Sequence, residues 1–174
     1  MNKTTNTWNI AKLRKWLNEA RKNRLHIDIE NGFMTDGYSI FKIDEDLKKI
    51  LNSHFMITGS IAISDGKIYN NSLDMKKIFR GFILEHEHSN HLLELTDYCR
   101  LRKGTTLNIL YSDELIVEVN KRLIDVIDQS YKVKYYGIAS QKPLAIEVEG
   151  EILGFILPVR NLSPYEIKKS HSTK

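Results

Sequence analysis

The chain reads as an α+β protein built from repeats of a small β-α-β unit, and three observations predict this. A short apolar strand runs into an acidic turn and out again three times, over residues 34–38, 63–67 and 111–115. Two of those turns lead through a strand to a helix cap, at Asn71-Ser72-Leu73 and Val119-Asn120-Lys121. The apolar period also switches repeatedly between three-to-four residues and two, as it does where helices alternate with half-buried strands. Repeats of one small unit suit a scaffold that presents surfaces better than a pocket enzyme. No catalytic residue and no cofactor is therefore assigned.

Composition bounds the class. A chain of 174 residues with 41% hydrophobic content, nine Gly and three Pro can bury a core and is neither disordered nor collagen-like. Cys99 stands alone, which excludes an intrachain disulfide, suits a reducing compartment and reads as a small buried apolar residue. No apolar run reaches the length of a membrane span, and the first eight residues are polar rather than signal-like, so a cytoplasmic protein without membrane contact is expected. The net charge of +4 is unevenly placed: residues 1–24 carry seven Lys/Arg against Glu19 alone, whereas residues 25–160 are net acidic. Clustered cations of this kind attract polyanions even when the whole molecule is near neutral.

The elements follow in order. Asn9 caps a first helix in which Ile10, Leu13, Leu17 and Ala20 form an apolar stripe, leaving Lys12, Lys15 and Lys22 on the opposite side. From Leu25 the period falls to two, with Leu25, Ile27 and Ile29 alternating with His26, Asp28 and Glu30 in a half-buried strand. Asn31-Gly32 tolerates positive φ and turns the chain into a return strand over 33–43, kinked at Thr35-Asp36-Gly37. A short helix over 44–52 follows, with Leu47, Ile50 and Leu51 on one face. A strand pair over 55–69 turns at Ser64-Asp65-Gly66. Ser72 then caps a second helix with Met75, Ile78, Phe79 and Phe82 on one side and Lys76, Lys77 and Arg80 on the other. A charged connection over 84–90 leads to strands near 92–95, 99–102, 107–111 and 115–119. Asn120 caps a third helix over 121–128, with Leu123, Ile124 and Ile127 inward and Lys121, Arg122, Asp125 and Asp128 outward. Strands over 131–138, 144–149 and 152–159 close the fold. The units divide as 1–54 (basic helix plus hairpin), 55–160 (two strand-helix units) and a frayed tail, 161–174.

Two segments carry a resemblance. The stretch Ser112-Asp113-Glu114-Leu115-Ile116-Val117-Glu118-Val119-Asn120, the helix after it, Gln141-Lys142-Pro143-Leu144-Ala145-Ile146 and the closing Ile156-Leu157-Pro158-Val159-Arg160 resemble the C-terminal end of a bacterial DNA sliding clamp, the processivity factor of replicative polymerases. Residues 25–43, with Phe33-Met34-Thr35-Asp36-Gly37-Tyr38-Ser39, are similar to the clamp hairpin that ends in Thr-Asp-Gly and an aromatic or His. Ser39 stands where that family usually has Arg, and fourteen residues follow Arg160. The resemblance implies clamp-like β-α-β units with mostly antiparallel sheets outside and the helices on one face. It also implies a homo-oligomeric ring around double-stranded DNA, which Lys12, Lys15, Lys22, Lys76, Lys77, Arg80, Lys121 and Arg122 would meet at backbone phosphates without reading sequence. A polymerase or other replication protein would dock in an apolar groove at Leu144, Pro158, Val159 and Arg160. A clamp-like module that binds only protein is the nearest alternative.

A rival constellation is Glu85-His86-Glu87-His88-Ser89-Asn90-His91, because His-x-His-x-x-His is the spacing with which metallo-β-lactamase-like hydrolases begin a zinc site. A working site needs further ligands from distant segments, and after His91 the only histidine is His171. The alternative reading, a metal-dependent hydrolase using His86, His88 and His91, therefore ranks below a plain charged loop. Asp36, Asp65 and Asp113 read as turn residues rather than a carboxylate cluster, since Asp bonds turn backbone. Trp8 and Trp16 read as core or interface aromatics.

Overall fold

A computed structural model describes residues 7–56, 59–88 and 90–159, of which His88 is described by its backbone alone. Arg160 and the tail 161–174 lie outside the described residues. In chain order the elements are α1 (Ile10–Asn23), β1 (Leu25–Asp28), β2 (Phe33–Thr35), β3 (Ser39–Lys42), α2 (Glu45–Phe55), β4 (Ser60–Ser64) and β5 (Lys67–Asn70). They continue with α3 (Met75–His88), β6 (His91–Arg102), β7 (Thr105–Tyr111), β8 (Ile116–Asn120), α4 (Lys121–Asp125), β9 (Val133–Gly137), β10 (Leu144–Val148) and β11 (Glu151–Ile156). The protein is α+β. All eleven strands form one antiparallel sheet in the order β5-β4-β1-β2-β3-β11-β10-β9-β6-β7-β8.

Local sequence explains the helix starts. The Asn9, Asp44 and Asn120 side chains accept from the backbone N–H of Lys12, Leu47 and Arg122, the donors a helix start leaves unpaired. The predicted Ser72 cap is corrected: α3 begins at Met75, and Asp74 accepts from the Lys77 N–H at 2.9 Å. The same helix runs on to His88, so the expected charged connection over 84–90 is mostly helical.

The expected long strand over 33–43 is in fact a hairpin. Thr35 to Ser39 reverse the chain, and Met34 faces Phe41 across the β2–β3 pair. Conversely, the two short strands expected at 92–95 and 99–102 are one long strand, β6, interrupted between Leu95 and Cys99. Residues 91–93 of β6 pair with β9, and 94, 95 and 99–102 pair with β7, leaving 96–98 as a bulge-like irregularity. Cys99 lies on that strand and is exposed rather than buried. Beyond β11 the Val159 N–H reaches the Glu118 carbonyl of β8 at 2.7 Å, so the sheet rolls far enough for its last strand to meet its middle.

Alternation along the strands sorts the core into two layers. Met34, Phe41, Leu144, Ile146 and Ile156 face a large cluster that takes in α1 (Leu13, Trp16, Leu17), α2 (Leu47, Leu51) and α4 (Leu123, Ile124). Their sequence neighbours Phe33, Ile40, Ala145 and Phe155 face the other way, against Met75 and Phe79 of α3. Helices on one face is therefore right for α1, α2 and α4 and wrong for α3, which covers the opposite side. Trp8 and Trp16 belong to the core, both edge-on to Phe41 with ring centroids 5.5 and 6.0 Å away.

Strand-turn-strand-helix order occurs at β4-β5-α3 and β7-β8-α4, but α3 and α4 lie on opposite faces. The arrangement that recurs in space is a helix followed by three antiparallel strands: α1-β1-β2-β3 and α4-β9-β10-β11, the two meeting where β3 pairs with β11. Strands on either side of residue 54 pair directly, β1 with β4 and β3 with β11, so the segments 1–54 and 55–160 share one sheet and one core.

Candidate functional site

The sharpest local construction is the turn between β2 and β3. Asp36 Oδ1 accepts from the Tyr38 N–H (2.9 Å), the Ser39 N–H (2.8 Å) and the Ser39 hydroxyl (2.9 Å). Its Oδ2 accepts from Trp16 Nε1 at 3.1 Å, tying the turn to α1. Thr35 Oγ1 donates to the Ser39 carbonyl and accepts from the Gly37 N–H, while Gly37 takes φ +86°, which glycine adopts without strain. The turn reading of Asp36 thus matches the geometry. Its product is Tyr38, 69% exposed, held on a rigid base.

The other end of the described chain comes to the same place. The Leu157 N–H donates to the Tyr38 carbonyl at 2.8 Å, continuing the β3–β11 pairing by one step before the chain crosses toward β8. Between this crossing and sheet strand β7 lies a cleft of about 620 Å³. Leu107, Leu123, Leu157, Pro158 and Val159 give it an apolar floor, and Arg102, Lys103 and Asn120 stand at its rim with Tyr38. Tyr38 and Leu157 also line a second, apolar cleft of about 150 Å³, where Ile78 and Phe82 of α3 face Ile40 and Phe155. Tyr38 and Leu157 are thus shared by the walls of both clefts.

Of the four predicted groove residues, Pro158 and Val159 line the larger cleft and Arg160 lies outside the described residues. Leu144 is fully buried in the main core because its strand position faces the α1 layer, and it lines neither cleft. Sequence reasoning missed Tyr38, Leu157, Leu107 and Leu123 as cleft walls. Only Tyr38 carried a local signal, an aromatic immediately after a turn glycine; the rest meet through the rolled sheet.

The predicted cations divide between faces. Lys12 and Lys15 of α1 and Lys121 and Arg122 of α4 surround a pocket of about 240 Å³, together with Trp16, Thr106 and Asp125. Lys22 is exposed at the end of α1. Lys76, Lys77 and Arg80 are exposed on α3, across the sheet from that group. Two of the four converging cations are paired: Arg122 with Glu19 of α1, and Lys121 Nζ with Asp125 Oδ1 at 2.6 Å.

Of the three clustered histidines, the His88 side chain lies outside the described residues, and His86 and His91 have separate partners. His86 is buried against Phe155, ring centroids 5.3 Å apart, and its Nε2 lies 2.9 Å from the Pro143 carbonyl. His91 lies on β6, its Nδ1 3.4 Å from Glu114 Oε2. Among the described residues no group of three His, Cys, Asp or Glu is placed to hold a metal.

Burial pushes His86 below the usual histidine range, opposed in part by the Pro143 carbonyl and Glu85. Its Nδ1 has no hydrogen-bond partner among the described residues, so protonation there would place an unpaired charge in the core. The unfolded chain then binds more protons than the folded one near pH 6.5, and stability should fall as pH drops from 7 through 6.5, levelling off below the folded-state value. The slope has a ceiling of about 1.4 kcal/mol per pH unit for one group. His86→Gln, which keeps a donor for Pro143, should flatten this dependence in urea unfolding followed across pH. His54, lowered by burial and by Arg21 and Arg14, supplies a remainder of the same sign.

No helix among the described residues is long and apolar enough to cross a membrane. No protein-family model matches the chain, and no curated protein or solved structure is significantly similar to it.

Proposed function

We propose that this chain is a non-enzymatic, sliding-clamp-like scaffold that docks an extended apolar segment of a partner protein in the Tyr38 clefts and rests on duplex DNA through its α1–α4 face. One observation carries the reading. The two segments that bear the resemblance, the turn at 35–39 and the stretch 156–159, lie at opposite ends of the sequence, yet they wall the same apolar clefts. Two clefts that share Tyr38 and Leu157 favour a partner in extended conformation, whose alternate side chains fall on one side and enter successive clefts. A polymerase or another replication protein is the partner class the resemblance supports. The α1–α4 cations support a backbone contact, with affinity that falls with salt and ignores sequence.

A protein-only module is the second reading. The Glu19–Arg122 and Lys121–Asp125 pairs favour it, because they neutralise half of the converging cations.

Binding of a labelled random-sequence duplex, followed by anisotropy at rising salt, separates the two. The first reading expects measurable binding at low salt. It also expects K12Q/K15Q to weaken that binding and reduce the log–log salt slope by about 2, one unit per lost phosphate contact. K76Q/K77Q/R80Q, on the other side of the sheet, should leave it unchanged. Absence of duplex binding at low salt favours the protein-only module.

A further inference from the structure

The α1–α4 face holds more than a spread of cations, because a third element closes it into a pocket. Lys12 and Lys15 come from α1, Lys121, Arg122 and Asp125 from α4, and Thr106 from β7. Lys12 and Lys15 have no ion-pair partner among the described residues. Asp125 holds Lys121 at 2.6 Å and Glu19 holds Arg122, so the paired cations are positioned at the pocket wall while the α1 lysines supply its uncompensated charge. At about 240 Å³ the space is below the range of about 300–1,000 Å³ typical of drug-sized ligands. It has room for one tetrahedral anion, and the charge around it favours an anion over a neutral ligand.

We propose that this pocket seats a single phosphate group of a nucleic-acid backbone, with Lys12 and Lys15 providing charge, Arg122 a forked donor and the Thr106 hydroxyl a neutral hydrogen bond. The proposal rests on the duplex-binding reading and sharpens it: one phosphate is held at a fixed position, and a strand residue takes part. The same chemistry would accept a free polyphosphate, so the test includes both.

The probes are a labelled duplex and sodium tripolyphosphate, measured directly and in competition on the full chain, with T106V and K15Q as variants and circular dichroism to check folding. Thr106 and Lys15 are both exposed, and Val suits a strand, so both variants should fold. T106V should weaken duplex binding about fivefold with the salt slope unchanged, as expected for one neutral hydrogen bond. K15Q should weaken it and lower the slope by about 1. Tripolyphosphate should displace the duplex from the wild type and less effectively from either variant. Duplex binding that neither substitution alters would overturn the seat while leaving a DNA contact elsewhere on the molecule. Tripolyphosphate binding weakened by both substitutions, without duplex binding, would keep the seat, assign it to free polyphosphate and remove the duplex reading. If neither probe binds, both fall.

Discussion

Gly154→Ala is expected to destabilise the fold by about 3 kcal/mol, at the upper end of the overpacking range, and to lower the melting temperature by about 6–12 °C. Gly154 pairs with Phe41 where β11 meets β3, the seam that joins the two halves of the sheet. A Cβ at this position would press on the Phe41 ring and stand 2.5 Å from the Ile40 carbonyl. Neither neighbour can retreat. Phe41 is fully buried, with Trp8 and Trp16 edge-on to its ring, and the Ile40 carbonyl is backbone within a paired strand. Two further glycines give the comparison that assigns the cause. At Gly137 the added carbon would meet the ends of Leu115 and Leu93 at 2.8 and 2.9 Å, which side-chain rotation relieves, so about 1 kcal/mol is expected there. At Gly81, inside α3 with nothing within 4 Å, alanine should stabilise by about 0.5–1 kcal/mol through helix propensity. Urea midpoints of the three variants should rank in that order. Equal values for Gly154→Ala and Gly137→Ala would mean that the seam yields.

The contrast between those glycines also marks where sequence reading stops. Period and caps were enough to find α1, α2 and α4, because a helix announces its buried stripe within one short window: Leu13, Leu17 and Ala20 are three or four residues apart and all face the core. The β2–β3 hairpin was not legible as a hairpin, since the apolar residues on either side of Thr35-Asp36-Gly37 do not alternate: Phe33 and Met34 are both buried, on opposite faces, as are Ile40 and Phe41. A strand covered on both sides loses the alternation that would set its ends. The same cause hid the position of α3. Its stripe of Met75 and Phe79 was plain, but which face it covers depends on Phe33, Ile40 and Phe155, three residues from distant strands. Lys76, Lys77 and Arg80 therefore seemed to share a surface with Lys12 and Lys15 until the sheet came between them. At the candidate site, Pro158 and Val159 were legible through the resemblance. Leu107 and Leu123 were not, since they join the cleft only through the roll that places β8 beside the end of β11.

Replacing Asp36 tests whether that turn is the foundation of the site. Asp36→Ala removes the acceptor for Trp16 Nε1, for two backbone N–H groups and for the Ser39 hydroxyl. Trp16 is 4% exposed and Ser39 is buried, so water cannot replace every lost partner. One or two stranded donors cost about 2–4 kcal/mol, which should appear as a lower urea midpoint with an altered tryptophan emission. Asp36→Asn separates geometry from charge. Its amide oxygen can still accept from Tyr38 and Ser39, but its NH₂ faces the Trp16 donor, so about half the loss is expected. The functional consequence is distinct from the stability loss. With the turn released, Tyr38 is no longer held in the shared wall of the two clefts, and an extended peptide carrying large apolar side chains at alternate positions should bind Asp36→Ala at least tenfold more weakly than Asp36→Asn, both measured well below their unfolding midpoints. If the two variants bind such a peptide equally while differing in stability, Tyr38 is not the organiser of the cleft. If Asp36→Asn loses all binding at full stability, the carboxylate itself meets the partner and the role of Asp36 is recognition rather than support.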